Sequence, residues 1–163
     1  MNKELIMTVG LPGCGKSTYR KPYAMDFVSS DHFIEEYALA CGKTYGQVFS
    51  EYAKAAEVLM YAHLDDLLHN GVRQIVWDQT NLTSKTRQKK LQKFNEAGGK
   101  DYRKIALFFE PDMQLTLERN EQRRKFGRDI PIHILETMYE SIQVPKKSEG
   151  FDYVFHVPVD SQV

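Results

Sequence analysis

The residues best suited to chemistry stand together near the amino terminus, where "GLPGCGKST" runs from Gly10 to Thr18 directly behind the apolar stretch "ELIMTV". Gly10, Gly13 and Gly15 cost conformational entropy, so a chain that keeps them needs backbone shapes or close approaches that a Cβ would block. The pattern G-x-x-x-x-G-K-[ST], set between a strand and a helix start, is that of a phosphate-binding loop. Small residues, Cys14 among them, let successive backbone N–H groups curl around phosphate oxygens, and the helix N-terminus adds partial positive charge. Lys16 then reaches the outer phosphates, the Ser17 hydroxyl suits Mg²⁺, and Thr18 sits beside the outermost phosphate. These residues point to nucleotide binding and leave open what is done with the nucleotide.

A second group bears on the reaction. Asp31 follows the stretch "AMDFVSS", and the carboxyl ends of strands in an open α/β sheet face the ligand crevice. A carboxylate there suits a base that takes the proton of an attacking hydroxyl, and it equally suits the N-cap of the helix beginning "HFIEEY". In "VWDQTNL", Asp78 ends another strand, where an acid would hold Mg²⁺ or its waters. Thr80 and Asn81 follow as short polar groups able to orient substrate, although such residues also form ordinary turns. Arg119, Arg123, Arg124 and Arg128 lie on or just after one expected helix, in a segment with Gly127 and Pro131, and planar guanidiniums suit charge spread over a transferring phosphoryl group. A hinge at Gly127 makes a lid over about 119–131, while a solvated helix face is the plainer alternative.

The elements that must position these groups are legible from periodicity. Strands are expected at "ELIMTV", "AMDFVSSD", "VRQIVWD", "RKIALFFE" and "YVFHV". Between them lie two helices split near Gly42, the second amphipathic through Val48, Tyr52, Ala55, Leu59, Ala62 and Leu67. A further helix starts at Thr83 or Ser84 and stops at Gly98–Gly99, and two more run through "MQLTLERNEQRRK" and from Pro131 to about Gln143. Strands alternating with helices imply an α/β fold with a parallel sheet covered on both faces. The chain has 163 residues, 42% hydrophobic and 27% charged, which fits one globular domain over 1–157 with a tail at 158–163. Lys and Arg number 22 against 22 Asp and Glu, so no global basic field coats nucleic acid, and any such contact must be local. No apolar run is long enough to span a bilayer and no secretory leader is evident, so a cytoplasmic protein without membrane partners is expected. Two cysteines and scattered histidines offer no metal cluster or disulfide framework.

In the order "TVGLPGCGKSTYR", "SSDHF", "DQTNL", "ERNEQRR" and "IPIHILETMYESI", the chain resembles the 5′-hydroxyl polynucleotide kinase domain of phage end-healing enzymes. That family lies within the small P-loop kinases that also include zeta-type toxins. The resemblance implies a parallel core of four or five strands, ATP and Mg²⁺, an Arg-rich helical lid, and transfer of the γ-phosphate to the 5′-OH of DNA or RNA. It implies nucleotide contacts from Gly10, Gly13, Cys14, Gly15, Lys16, Ser17, Thr18 and Arg119, and metal contacts from Ser17 and Asp78. Lys16, Asp31 and Arg123 take the catalytic roles, with Asp31 as base and Arg123 bridging phosphates. Thr80 and Asn81 contact the acceptor, and Ile130, Pro131 and Ile134 form an apolar wall beside its terminal base.

Two positions depart from that pattern. Ile34 stands where the family often has an arginine for the acceptor's 3′-phosphate, so a grip on one or two nucleotides is expected, improved by Ile34→Arg. Asp78 lies two residues before Thr80, with Gln79 in the position nearest the phage pattern. A hydroxymethylated base in DNA, or a small-molecule hydroxyl on a nucleoside or sugar, is the alternative acceptor, and a nucleotide-binding switch the alternative class. Lys16→Ala is expected to lower phosphoryl transfer roughly 10²–10³-fold while leaving the thermal unfolding midpoint unchanged. Wild-type turnover in the folded variant would remove the loop from the chemistry.

Overall fold

A computed structural model describes residues 2–15 and 26–159. Five strands form one sheet, β1 (Glu4–Val9), β2 (Asp26–Val28), β3 (Gln74–Asp78), β4 (Arg103–Phe109) and β5 (Tyr153–Val157), in the order β2-β3-β1-β4-β5. Every pairing is parallel. The central strand β1 is buried from Leu5 to Val9, as a strand covered on both faces must be, and reads as an unbroken run rather than an alternation. The strand order places the exits of β1 and β3 side by side, where consecutive connections leave in opposite directions and a crevice opens.

Helix α1 (Ser30–Cys41) and helix α2 (Tyr45–His69) make an antiparallel-style hairpin around Ile34, Ala38, Val48 and Ala56. Gly42 closes α1 in the left-handed conformation, and Thr44 with Gln47 forms a capping box that starts α2. The face of α2 that reaches the sheet carries Met60, Leu64 and Leu67, packed with Leu5, Met7, Ile75 and Trp77. The expected face through Ala55, Leu59 and Ala62 is instead exposed. Steps of four from Tyr52 through Ala56, Met60 and Leu64 hold the stripe on the core. A step of three to Ala55 rotates it by about 100° toward solvent.

Two other expectations shift. β2 ends at Val28 because Ser29 caps α1, accepting from the Asp31 N–H at 3.2 Å, so Asp31 lies in the first helical turn rather than on the strand. Ile34 is 1% exposed inside the hairpin core, so an arginine there would bury an unpaired charge instead of reaching a phosphate. The expected benefit of Ile34→Arg is therefore withdrawn.

Helix α3 (Ser84–Phe94) begins at the Thr83 cap and runs into one wider turn over Asn95–Gly99. Its Arg87 is buried and makes two hydrogen bonds to Glu149, Nε to Oε2 at 2.7 Å and Nη2 to Oε1 at 2.8 Å. The third donor, Nη1, reaches the Asn81 carbonyl at 2.9 Å. Helix α4 (Met113–Arg123) starts at Asp112, whose side chain accepts from the Leu115 N–H, and helix α5 (Ile132–Ser141) follows Pro131. Burial pushes the Glu149 carboxyl up, but the Arg87 hydrogen bonds outweigh it and hold the pKa below the ordinary range. The stabilisation is therefore present above the unfolded carboxylate pKa and is lost as pH falls. Arg87→Met, which strands Glu149, should lower unfolding stability by about 3–5 kcal/mol in denaturant titrations, and Arg87→Met with Glu149→Leu should recover most of it.

Candidate functional site

The crevice is assembled where β1 and β3 end. The Gly10 N–H donates to the Thr80 carbonyl at 3.0 Å, tying the start of the glycine loop to the exit of β3. Asn81 is 2% exposed and takes the left-handed region at φ 47°, a shape tolerated by asparagine better than by most residues. Its Nδ2 donates to the Thr8 carbonyl at 2.9 Å and to the Gln79 carbonyl at 3.3 Å, and its Oδ1 accepts from Lys90 Nζ. With its amide spent on the chain, Asn81 positions the crevice from within. Thr80 contributes its carbonyl to the loop, and its side chain is half-buried.

Asp78 is 7% exposed, and the Thr8 hydroxyl lies 3.5 Å from its Oδ1. Gln79 is wholly engaged: Nε2 donates to Ser30 Oγ at 2.9 Å, while Oε1 accepts from Trp77 Nε1 at 3.0 Å and Lys90 Nζ at 2.6 Å. It ties the exit of β3 to the first turn of α1 and so fixes Asp31 relative to Asp78. This accounts for the amide standing where the phage pattern has an acid.

In the loop itself, Gly13 lies at φ 79°, and a Cβ there would come within 3.3 Å of Arg119 Cβ. The Arg119 guanidinium donates through Nη1 to the Gly13 carbonyl, so α4 lies against the phosphate loop. Cys14 is buried against the second sheet face with Ile6, Val76, Leu107 and Phe109. Lys16, Ser17 and Thr18 lie outside the described residues.

A second cluster forms beside α1. Tyr45 Oη donates to Asp31 Oδ1 at 2.5 Å, and the Arg128 guanidinium sits 5.3 Å from the centre of the Tyr45 ring. Arg128 Nη2 also pairs with Glu35 Oε1 at 2.6 Å. Burial and the neighbouring Arg128 lower the Arg123 pKa, against the opposing pull of Asp31, Tyr45 and Glu35. The structure thus brings Asp31 and Arg123 into one electrostatic unit, whereas Arg124 turns outward to Glu121 and Asp129. Gly127 supplies the hinge: its φ is 65°, a Cβ would meet Thr44 at 2.6 Å, and its carbonyl accepts from the Gly46 N–H at 3.2 Å.

Ile130 is clasped by Asn120, which accepts from its N–H and donates to its carbonyl, both at 2.8 Å. Pro131 and Ile134 are exposed at the start of α5. Sequence reasoning missed Tyr45, Lys90 and Asn120. Tyr45 was hidden among helical aromatics that read as core, Lys90 within a lysine-rich helix face, and Asn120 among lid arginines. Only a fold that brings distant segments together gives these three their partners.

Among the described residues no group of three or more His, Cys, Asp or Glu gathers as for a tightly held metal. That donor set still fits Mg²⁺, which binds through one or two hard oxygens together with phosphates, and Asp78 supplies one. Gly13 at φ 79° takes the left-handed shape that turns backbone N–H groups toward a phosphate in such loops, and Arg119 packs against it.

The family profile of the AAA domain, AAA_33, matches residues 5–145. The chain belongs to this family. Its fold is a P-loop kinase fold, supported by solved structures that share little sequence. One is a candidate kinase from Chloroflexus aurantiacus, 17% identical over 99% of this chain and 89% of that one, TM-score 0.73. Another comes from the PezAT chromosomal toxin–antitoxin system of Streptococcus pneumoniae, 17% identical over 98% of this chain and 70% of that one, TM-score 0.68. Among curated relatives, a shikimate kinase of Corynebacterium efficiens is 40% identical over 78 residues, 44% of each chain. An L-seryl-tRNA(Sec) kinase of Methanococcus maripaludis is 24% identical across 94% of this chain and 56% of the relative. The AAA domain therefore spans about half the length of these relatives. No described helix is long and apolar enough to cross a membrane.

Lys90 offers a titration of the crevice itself. Burial lowers its pKa to about 8, with Glu57 pulling the other way. Because the unfolded lysine titrates near 10.4, the unfolded chain holds more protons between about pH 8 and 10, and stability rises with pH across that window. Wild-type stability should gain on that of Lys90→Gln by on the order of 1 kcal/mol per pH unit there, read by urea denaturation. Parallel pH curves for the two proteins would show that Lys90 is not desolvated.

Proposed function

We propose that this domain is an ATP-dependent phosphotransferase acting on a small-molecule alcohol, or on a small alcohol carried by a larger molecule. The observation that carries this reading is the meeting of Asp31 with Tyr45, Arg123 and Arg128, a carboxylate beside two cations, one of them on the helix that also touches the glycine loop through Arg119. In the reaction, the acceptor oxygen forms a bond to the γ-phosphorus as the bond to the bridging β–γ oxygen breaks, and ADP leaves. Asp31 takes the acceptor's proton, so the nucleophile need not carry a full charge at the outset. Arg123 and Arg119 spread positive charge over the transferring group, and Lys16 does so from the loop. Asp78 and Ser17 would hold Mg²⁺, which would supply neutralisation of the phosphate charge.

The acceptor's size is argued from the lid. Gly127 contacts Gly46 and Thr44 directly, and Arg128 pairs with Glu35, so the hinge rests on the α1–α2 hairpin with little space between them. The curated relatives named for shikimate and for seryl-tRNA support a small hydroxyl at the reacting centre. The 5′-OH of DNA or RNA stays as a second reading, favoured by Ile134, which is 39% exposed beside Pro131 and available to flank a terminal base.

A γ-labelled ATP screen over polyols, cyclic alcohols, nucleosides, aminoacylated RNA and 5′-OH oligonucleotides decides between them. Label on small alcohols is expected, and label only on oligonucleotide ends would replace the main reading by the second. Asp31→Asn should lower kcat roughly 10²–10⁴-fold with little change in ATP affinity. ATP consumption that is indifferent to every acceptor and to Asp31→Asn would place the domain among nucleotide-driven switches.

A further inference from the structure

We infer that Tyr45 is a positioning residue that links closure of the lid hinge to readiness of Asp31. The inference rests on the reading of Asp31 as base. Three contacts converge on this one side chain. Its hydroxyl donates to Asp31 Oδ1 at 2.5 Å, occupying one carboxylate oxygen. Its ring carries the Arg128 guanidinium at 5.3 Å, a cation–π contact from the segment just beyond the Gly127 hinge. Its neighbour Gly46 donates its N–H to the Gly127 carbonyl, so the first turn of α2 is held by the hinge through backbone as well as side chain.

The groups facing Asp31 come from every packed element. From α2 it is Tyr45, from α4 Arg123, and from the segment after Gly127 Arg128, itself paired with Glu35 of α1, while His32 turns to Glu36. Burial and the nearby Asp31 carboxylate keep the Tyr45 phenol protonated well above its ordinary range, so it acts as a steady donor rather than as a base. A donor fixed on one carboxylate oxygen restricts the rotation of the group. With the lid away from the hairpin, Arg128 leaves the ring and Glu35, and Tyr45 loses what orients it. Asp31 is then aimed only when the lid cations are in place, so a bound nucleotide under an open lid meets a poorly oriented base. This would limit transfer to water.

Tyr45→Phe keeps the ring and removes the hydroxyl. Its expected effect is a roughly tenfold fall in kcat with unchanged KM for ATP, the split expected of a group that orients the base and not the nucleotide. Tyr45→Ala, which also frees Arg128, should raise KM for ATP as well. Circular dichroism melts on both variants separate folding from function, and Tyr45→Phe alone suffices if Tyr45→Ala does not fold. If Asp31→Asn abolishes turnover while Tyr45→Phe leaves both kcat and KM unchanged, Tyr45 has no positioning role and the base reading stands. If Asp31→Asn itself turns over normally, the base reading fails, and this inference falls with it.

Discussion

The buried amide of Asn81 is the constraint on which the crevice depends. Two adjacent parallel strands end beside it, and the Thr8 and Gln79 carbonyls near their ends need donors. Asn81 answers this by donating to the Thr8 and Gln79 carbonyls while its own carbonyl takes Arg87 and its Oδ1 takes Lys90. Unsatisfied polar groups at this depth would cost about 1–3 kcal/mol each, so the network defines one arrangement of the strand exits. Asp78, Gln79 and Thr80 inherit their positions from it, and through the Gly10 N–H so does the phosphate loop. Through Gln79 and Ser30 it also reaches the first turn of α1, where Asp31 stands.

Charge is buried around this point in a way that favours uniqueness over simple stability. Arg87, Glu149 and Lys90 surround Asn81, and each carries a desolvation cost that an apolar trio would avoid. An apolar trio would also leave the Asn81 carbonyl and amide oxygen without donors. The ion pair of Arg87 with Glu149 further attaches the short turn before β5 to α3, joining an edge of the sheet to its centre. The segment around Gly127 meets the hairpin differently, through the Arg128–Glu35 pair and the Gly46–Gly127 backbone bond near the surface.

Much of this was legible in the sequence, for reasons that differ by element. The loop was legible because glycine identity is dictated locally by backbone shape, and Gly13 at φ 79° is such a case. The strands were legible because doubly covered parallel strands must be continuous and apolar, and the helix caps at Thr83 and Gly42 because capping is a matter of nearest neighbours. The buried face of α2 was misplaced because small and large apolar residues occur on several of its sides. Only the position of Trp77 and Met7 selects Met60 and Leu64 over Leu59. Ile34 illustrates the same limit, since a residue read as a missing phosphate contact is in fact the centre of the hairpin core.

The departure at Gln79 shows how a local change is absorbed by the whole. An acid directly before Thr80 would sit between Ser30 Oγ, Trp77 Nε1 and Lys90 Nζ, and could accept from these donors but could not donate back to the strand–helix junction. Glutamine does both, because its amide nitrogen reaches Ser30 while its oxygen receives the indole and the ammonium. The acidic role then falls to Asp78, one residue earlier and on the opposite face of the strand, where the Thr8 hydroxyl lies beside it. A one-residue shift moves a strand side chain to the other face, so the two positions do not substitute for one another. The neutral amide therefore ties the exit of β3 to the first turn of α1 through Ser30, while the acid stays beside Thr8 of β1, the strand that leads into the loop beginning at Gly10.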